Sequence, residues 1–490
     1  MKLKRSFITT LISFIYIFSV SAQFENEIEC FSILAGKNSN IDNTVLLAHN
    51  EDDWGDLLIN WYKVPAQDHT SGEIITLQNG AVIPQVSHTF EYLWIEMPGM
   101  QFSDCYMNEW GVTVASDQCK SREDKAKIAD GGIGFYLRRI MAERAKTAKE
   151  AVKIAGELVE TLGYNYSGRT YCIADPDEAW MMSVVMGKHW IAQRIPDDEI
   201  AVIPNCYTID KIDLTDTLNF LGSKDIVNYA ISRGWYNPGS GKEFSFKYAY
   251  SEPGIIDAIW NKPRAMTAIN ILAKNKISYG SNFPFSFIPK KGVDKRSLMK
   301  VLASHLEGTD FESCNKKNPH KNIASRICSP GNQYGFVAEL RKGMPKEIAN
   351  IMWIAVKRPC IQPFMPVYFG LPTIKKAYTH KDWQTALKTH FSKIDWKAET
   401  QEKAYWFFKK LADITDMDYF NLTNDLKKHK EITEKELFHN QKIFEDKFIK
   451  IYSYNKSYAI KFLDQYESII FNETLNHTKE EINKLENQEN

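Results

Sequence analysis

Cys30 opens the run Cys30-Phe31-Ser32-Ile33-Leu34-Ala35 and is the strongest chemical signal in the chain. If the Glu29–Cys30 bond were cut, one residue would carry both a nucleophilic thiol and a free α-amine to take its proton. That pairing suits amide hydrolysis. A buried, inert thiol is the plain alternative. Asp52 closes His49-Asn50-Glu51-Asp52. A carboxylate brought near Cys30 can hold an ammonium or orient a substrate amine, although an acid at a strand end is also an ordinary turn feature. Asn108, in Met107-Asn108-Glu109-Trp110-Gly111, and Asn205, after Val202-Ile203-Pro204, can each offer a side-chain amide to a tetrahedral oxyanion. Asparagine is equally a common turn former. Arg326, in Ala324-Ser325-Arg326-Ile327-Cys328, can bind a carboxylate, polarise the thiol or make a surface ion pair.

The elements that must position these residues begin behind an export signal. Lys2, Lys4 and Arg5 precede an uncharged apolar stretch from Ser6 to Val20, and Ser19-Val20-Ser21-Ala22 supplies small residues for cleavage after Ala22. The apolar stretch is short for a membrane span. Residues 1–22 therefore read as a signal peptide and the protein as exported, to a periplasm or the extracellular space. Residues 23–29 are then a propeptide whose removal exposes Cys30, or a loose N-terminal tail.

Roughly 460 residues remain, enough for one large domain with an appendage or for two domains. Hydrophobic residues make up 44% and aromatics 13%, as in a packed globular protein. Lys+Arg and Asp+Glu both total 61, so no net field favours nucleic acid or an anionic membrane. The eight cysteines form no CxxC and no zinc-type spacing with nearby histidines. No cofactor or metal is expected on that reading. Cys105 and Cys119 are the most local candidates for a disulfide.

The apolar runs 30–36 and 44–49 flank the turn-rich Lys37-Asn38-Ser39-Asn40-Ile41-Asp42-Asn43 and predict a β-hairpin. Residues 111–117 predict a strand, and a helical region follows over 135–161, where Thr147 and Glu150 mark a second helix start. Four strands at 169–174, 179–186, 189–194 and 200–204 predict an antiparallel meander. Later strands are expected at 334–341 and 350–357. From about 380 the chain is rich in Lys, Glu and aromatics with helical spacing. Strands, then helices, then strands again suit a layered α+β design.

Taken together and in order, these motifs resemble the C69 dipeptidase family. The matching pieces are the hairpin Cys-x-Ser-Ile-Leu-x-Gly-Lys ending in Asn-Glu-Asp, Met107-Asn108-Glu109-x-Gly111 and Ala174-Asp175-Pro176-x-Glu178-Ala179-Trp180. The run from His189-Trp190 through Pro196-Asp197-Asp198 to Ile203-Pro204-Asn205 is the most specific. The likeness spans roughly residues 30–370. It implies a four-layer αββα N-terminal-nucleophile fold, placed over residues 30–378, and the composition after that predicts a helical C-terminal region at 379–490. It also implies autocatalytic exposure of Cys30 and hydrolysis of dipeptides or small peptides without a cofactor.

Penicillin V acylases, bile salt hydrolases and secernins are more distantly similar. In those acylases an Arg-Asn-x-Asp motif closes the first hairpin; His49 replaces the arginine here. Asp52, Asn108 and Asn205 match the acylase pattern, and Arg326 is the looser placement. Two other functions stay open: an acylase of N-acyl amides, and a non-catalytic binding protein on the same fold. No nucleic-acid partner and no membrane span after signal removal are expected, and homo-oligomerisation is left open.

Overall fold

The computed structural model describes residues 30–53, 57–312, 315, 317–321 and 326–488. The expected signal peptide and propeptide lie outside the described residues. From Cys30 the chain enters β1 (Phe31–Ala35) and returns in β2 (Val45–Asp52), with Phe31 opposite Asn50 and Ala35 opposite Leu46. Every residue of both strands is buried. Continuous apolar runs of this kind fit a sheet covered on both faces.

The chain then builds a second sheet from β3 (Asn60–Val64), β4 (Tyr92–Glu96), β5 (Cys105–Asn108) and β6 (Thr113–Gln118). Two helices follow, α1 (Tyr136–Arg144) and α2 (Ala148–Leu162). Thr147 caps α2 by accepting from the Glu150 N–H at 3.1 Å. The Glu150 carboxylate reaches back to the Lys146 N–H rather than to that of the cap. Ala148, Ala151, Val152, Ala155, Val159 and Leu162 give α2 one apolar face, which lies on the sheet.

The sheet continues through β7 (Tyr164–Ala174), β8 (Ala179–Gly187) and β9 (Trp190–Arg194). Their alternation sorts two cores: Tyr171, Ile173, Trp180 and Met182 face the helices, while Cys172, Ala174, Ala179 and Met181 face the first sheet.

The predicted meander ends there. The fourth strand, β10 (Ile200–Ile203), leaves for the first sheet and pairs with β1, Ser32 opposite Ile203. The free edge of β9 is taken instead by β11 (Phe220–Gly222). Backbone docking accompanies the switch: the Gly36 N–H donates to the Glu199 carbonyl at 3.0 Å and the Asn38 N–H to the Asp197 carbonyl at 2.7 Å. Gly36 permits that approach, since a Cβ there would lie 2.3 Å from the Pro196 carbonyl oxygen.

After α3 (Lys262–Leu272) and α4 (Lys295–Leu302), β12 (Asn332–Leu340), β13 (Asn350–Val356) and β14 (Met365–Tyr368) complete the first sheet, in the order β10-β1-β2-β12-β13-β14. The second sheet runs β11-β9-β8-β7-β6-β5-β4-β3. β1 and β2 pack face to face on strands of the second sheet. Helices α1 and α2 cover its outer face, and α3 and α4 cover that of the first. The layering is α, β, β, α.

The remaining helices include α5 (Ala404–Thr415), α6 (Asn424–Tyr452) and α7 (Lys456–Gln488). They do not form a separate unit. Phe408, Phe444, Phe448 and Phe471 belong to the same core as β1 and β2, and α7 packs on β14. Among the described residues no helix is long and apolar enough to cross a membrane.

Candidate active site

Cys30 is buried beneath a cavity of about 240 Å³. Glu51, Asp53, Ser103, Gln118, Tyr166 and Arg169 contribute to its walls. The β1–β2 hairpin carries the thiol, and β7 of the facing sheet carries Arg169. The site therefore lies between the two sheets, where either alone would leave it open to water.

The Cys30 Sγ donates toward Glu51 Oε1 at 3.4 Å and toward the Asp52 carbonyl at 3.7 Å. Burial, followed by the nearby Glu51, Asp117 and Asp52 carboxylates, pushes the thiol well above its ordinary pKa. Glu51 is raised to about 7, chiefly by burial. Burial also lowers His49 to about 4 and raises Asp117 to about 6. Those directions make His49 neutral, so its 3.1 Å contact with Glu51 is a hydrogen bond rather than an ion pair.

The direction of that bond follows from the chain behind it. Ser32 Oγ donates to Asp117 Oδ2 at 2.5 Å. Its oxygen then accepts from His49 Nδ1–H at 2.8 Å. A neutral imidazole protonated at Nδ1 has only a lone pair at Nε2. Glu51 Oε2 must be the protonated oxygen and donate to it. The result is a buried file, Cys30–Glu51–His49–Ser32–Asp117, in which every proton has an acceptor. Sequence reading noted His49 only as a departure from an arginine and passed over Glu51, Ser32 and Asp117.

Asp52 does lie beside Cys30, as the hairpin predicts. Its Oδ2 accepts from Ser329 Oγ at 2.6 Å, and Gly331 passes so close that a Cβ there would lie 1.8 Å from Asp52 Oδ1. Gly331→Ala should therefore displace the Asp52 carboxylate. A drop in kcat/KM of about tenfold or more, with an unchanged far-UV circular dichroism spectrum, is the expected result.

Asn205 is held next to Cys30 by Arg264, a residue that sequence reading missed. Arg264 donates to the Cys30 carbonyl at 3.1 Å and to Asn205 Oδ1 at 2.8 Å. With its oxygen so engaged, the Asn205 amide turns its nitrogen to the Gln118 carbonyl in the cavity wall, 3.2 Å away. Lys262-Pro263-Arg264 reads in sequence only as a helix start, with the proline in its first turn.

Asn108 and Arg326 are not brought to the cavity. The Asn108 Nδ2 donates to the Ala142 and Ala145 carbonyls at 2.8 and 2.7 Å. Its Oδ1 accepts from the Trp110 and Val112 N–H groups, both at 3.0 Å. All four positions of the amide close the β5–β6 turn and the end of α1, which leaves no donor for an oxyanion. Arg326 is buried rather than surface-paired, and it clamps a loop by donating to the Pro319 and Phe311 carbonyls at 3.1 and 2.8 Å.

Cys105 and Cys119 are free thiols, as are the other described cysteines. The β5–β6 register sets Tyr106 opposite Val114, which puts Cys105 level with Ala115, four positions short of Cys119. Four strand residues span about 13 Å, beyond a disulfide's reach.

Residues 123–432 match the family model of peptidase family C69. A probable dipeptidase B of Streptococcus pyogenes serotype M1 is 25% identical over 377 residues, covering 72% of this chain and 75% of that protein. A probable dipeptidase of Salmonella dublin is 24% identical over 358 residues, covering 70% and 82%. Among solved structures, a mutant of the conjugated bile acid hydrolase from Clostridium perfringens is 12% identical with a TM-score of 0.28, covering 67% of this chain and 89% of that one. The extent of the family match decides the assignment: this chain belongs to peptidase family C69.

Proposed function

We propose that this peptidase is an exported dipeptidase whose nucleophile is Cys30, exposed by self-cleavage after Glu29. The observation that carries the reading is a thiol under a small cavity that presents one guanidinium, Arg169, together with the Asp53 carboxylate. A cavity near 240 Å³ suits a small substrate, of dipeptide size, bearing both an ammonium and a carboxylate. Arg169 is oriented for such a role by stacking on Phe102, 4.2 Å from the ring centroid, and by donating to Ser116 Oγ at 3.2 Å.

Before cleavage Cys30 has no α-amine, so the first reaction needs another base. The buried file supplies it. The thiol proton passes to Glu51 Oε1 while Glu51 Oε2–H passes its own proton to His49 Nε2. The imidazolium so formed donates through Nδ1–H to Ser32, which is backed by the Asp117 carboxylate. The thiolate attacks the Glu29 carbonyl, and the imidazolium returns its proton through Glu51 to the departing Cys30 nitrogen as the acyl group passes to sulfur. Water hydrolyses the thioester, releasing the Glu29 carboxylate with the Cys30 thiol and amine.

In later turnovers the α-amine, with a reference pKa of about 8, lies beside the thiol as a second proton acceptor. The thiolate attacks the scissile carbonyl, the leaving amine takes the proton, and water frees the acyl half. Arg264 positions the Cys30 carbonyl and the Asn205 amide, and Asn205 is the remaining side-chain donor for the oxyanion.

A panel of free dipeptides, dipeptide amides and N-acyl amides tests the assignment. Free dipeptides should be hydrolysed with the highest kcat/KM. Arg169→Met should raise KM for them by about tenfold or more while changing the amides less. Faster cleavage of bile-salt or penicillin V amides than of any dipeptide would show an acylase instead.

A further inference from the structure

We propose that His305, His320, Cys328 and Cys360 form a structural site for one tetrahedral divalent metal ion, zinc by the chemistry of its donors. Their ligand atoms all lie within 4.8 Å of one another, and all four residues are buried. They come from separate places: the turn after α4, a loop, the approach to β12 and the turn after β13. That is why no motif shows in the sequence. The set lies apart from Cys30 and takes no part in the chemistry above.

The histidine tautomers carry the inference. His305 Nδ1 faces Glu307 Oε1 at 3.0 Å, and His320 Nδ1 faces Asp416 Oδ1 at 2.7 Å. Carboxylates accept, so each ring holds its proton on Nδ1 and turns the Nε2 lone pair inward. The two Nε2 atoms then face each other at 3.0 Å. Cys360 and Cys328 Sγ lie 3.7 and 3.9 Å from the His320 Nε2.

Two lone pairs aimed at each other repel unless something positive lies between them. A proton satisfies the nitrogens alone, whereas a metal ion satisfies both nitrogens and both sulfurs. Zinc bonds of about 2.0–2.1 Å to nitrogen and 2.3 Å to sulfur place tetrahedral ligands about 3.3–3.8 Å apart, close to the distances here. Carboxylates behind both imidazoles are the usual means of orienting metal-bound histidines. On binding, the two thiols release their protons to solvent, and two thiolates with one dication leave the buried set neutral.

The ion would tie the nucleophile sheet to the C-terminal helices. Asp416 follows α5 directly, and its other oxygen accepts from Arg358 Nη2 at 2.8 Å. A cavity of about 210 Å³ lined by His305, Cys360, Tyr419 and Lys427 leads to the site.

The test is elemental analysis and native mass of the full chain, purified without a metal-binding tag or chelator. One zinc per chain is expected, lost in Cys328→Ser/Cys360→Ser and retained in His305→Cys, which keeps a ligand. Cobalt exchanged into the wild type should give tetrahedral visible bands and a thiolate charge-transfer band. The same spectrum is expected in Cys30→Ala, which excludes the Cys30–His49–Glu51 group as its source. This wild-type spectrum decides the matter even if the double serine variant fails to fold. Absence of stoichiometric metal and of the cobalt bands would overturn the proposal. So would a disulfide between Cys328 and Cys360, detected as a mass two hydrogens lower, or metal retained by a folded double serine variant.

Discussion

Replacing Cys30 by alanine is expected to abolish dipeptide hydrolysis and to leave the Glu29–Cys30 bond intact. Loss of a nucleophile commonly costs on the order of 10⁴-fold or more, and here one thiol performs both reactions. Alanine should be tolerated structurally, since the β1 backbone pairs on both sides with β2 and β10 whatever side chain precedes it. Cys30→Ser should lose most activity, because its hydroxyl is a far weaker acid and the acids that raise the thiol would raise it too. Supplying a chain already trimmed to residue 30 separates the two roles. Alanine in the trimmed chain should remain inactive, which only a role in turnover explains.

Glu51→Gln should slow both self-cleavage and turnover by about 10²- to 10⁴-fold, while raising stability at alkaline pH. Glutamine can still accept from Cys30 and donate to His49, yet it cannot take one proton and release another. The stability effect comes from the buried Glu51 itself, whatever its role in the reaction. Its carboxyl is raised from 4.5 to about 7 chiefly by burial, so the folded protein holds its proton more tightly than the unfolded chain. The favourable contribution is full below about 4.5 and is lost as pH rises to about 7. Above that, the buried charge costs at most about 3 kcal/mol by linkage. Thermal melts should show the variant above the wild type at pH 8, with the gap closing toward pH 5. A variant as active as wild type would remove Glu51 from the relay, and one less stable than wild type at pH 8 would contradict the raised pKa of its carboxyl.

The features legible in the sequence are those set by neighbours. The β1–β2 hairpin follows from two apolar runs around a turn, and the α2 cap from Thr147 and its spacing to Glu150. The β7–β8–β9 meander follows from short turns between alternating strands. The placement of Asp52 beside Cys30 comes from the same local logic, since hairpin register alone decides it. β10 was not legible as a member of the first sheet. Ile200-Ala201-Val202-Ile203 is apolar on both faces and fits either sheet, and its partner β1 lies far back in the chain.

The same distance hid Arg264, whose meaning depends on the Cys30 carbonyl and Asn205 meeting it in space. Asn108 shows the converse. Its type and spacing suited an oxyanion donor, but a buried turn had a stronger claim on all four of its hydrogen-bonding positions. His49 was visible as a substitution, while its function needed Ser32 and Asp117 to define the tautomer.

The mechanism stands or falls on Cys30 becoming the first residue of the active enzyme. Intact-mass analysis with N-terminal sequencing of the purified, active protein is the decisive measurement. A chain beginning at Cys30 is expected in the wild type, and an uncut Glu29–Cys30 bond in Cys30→Ala. A fully active wild-type chain that still carries residues before Cys30 would refute the mechanism.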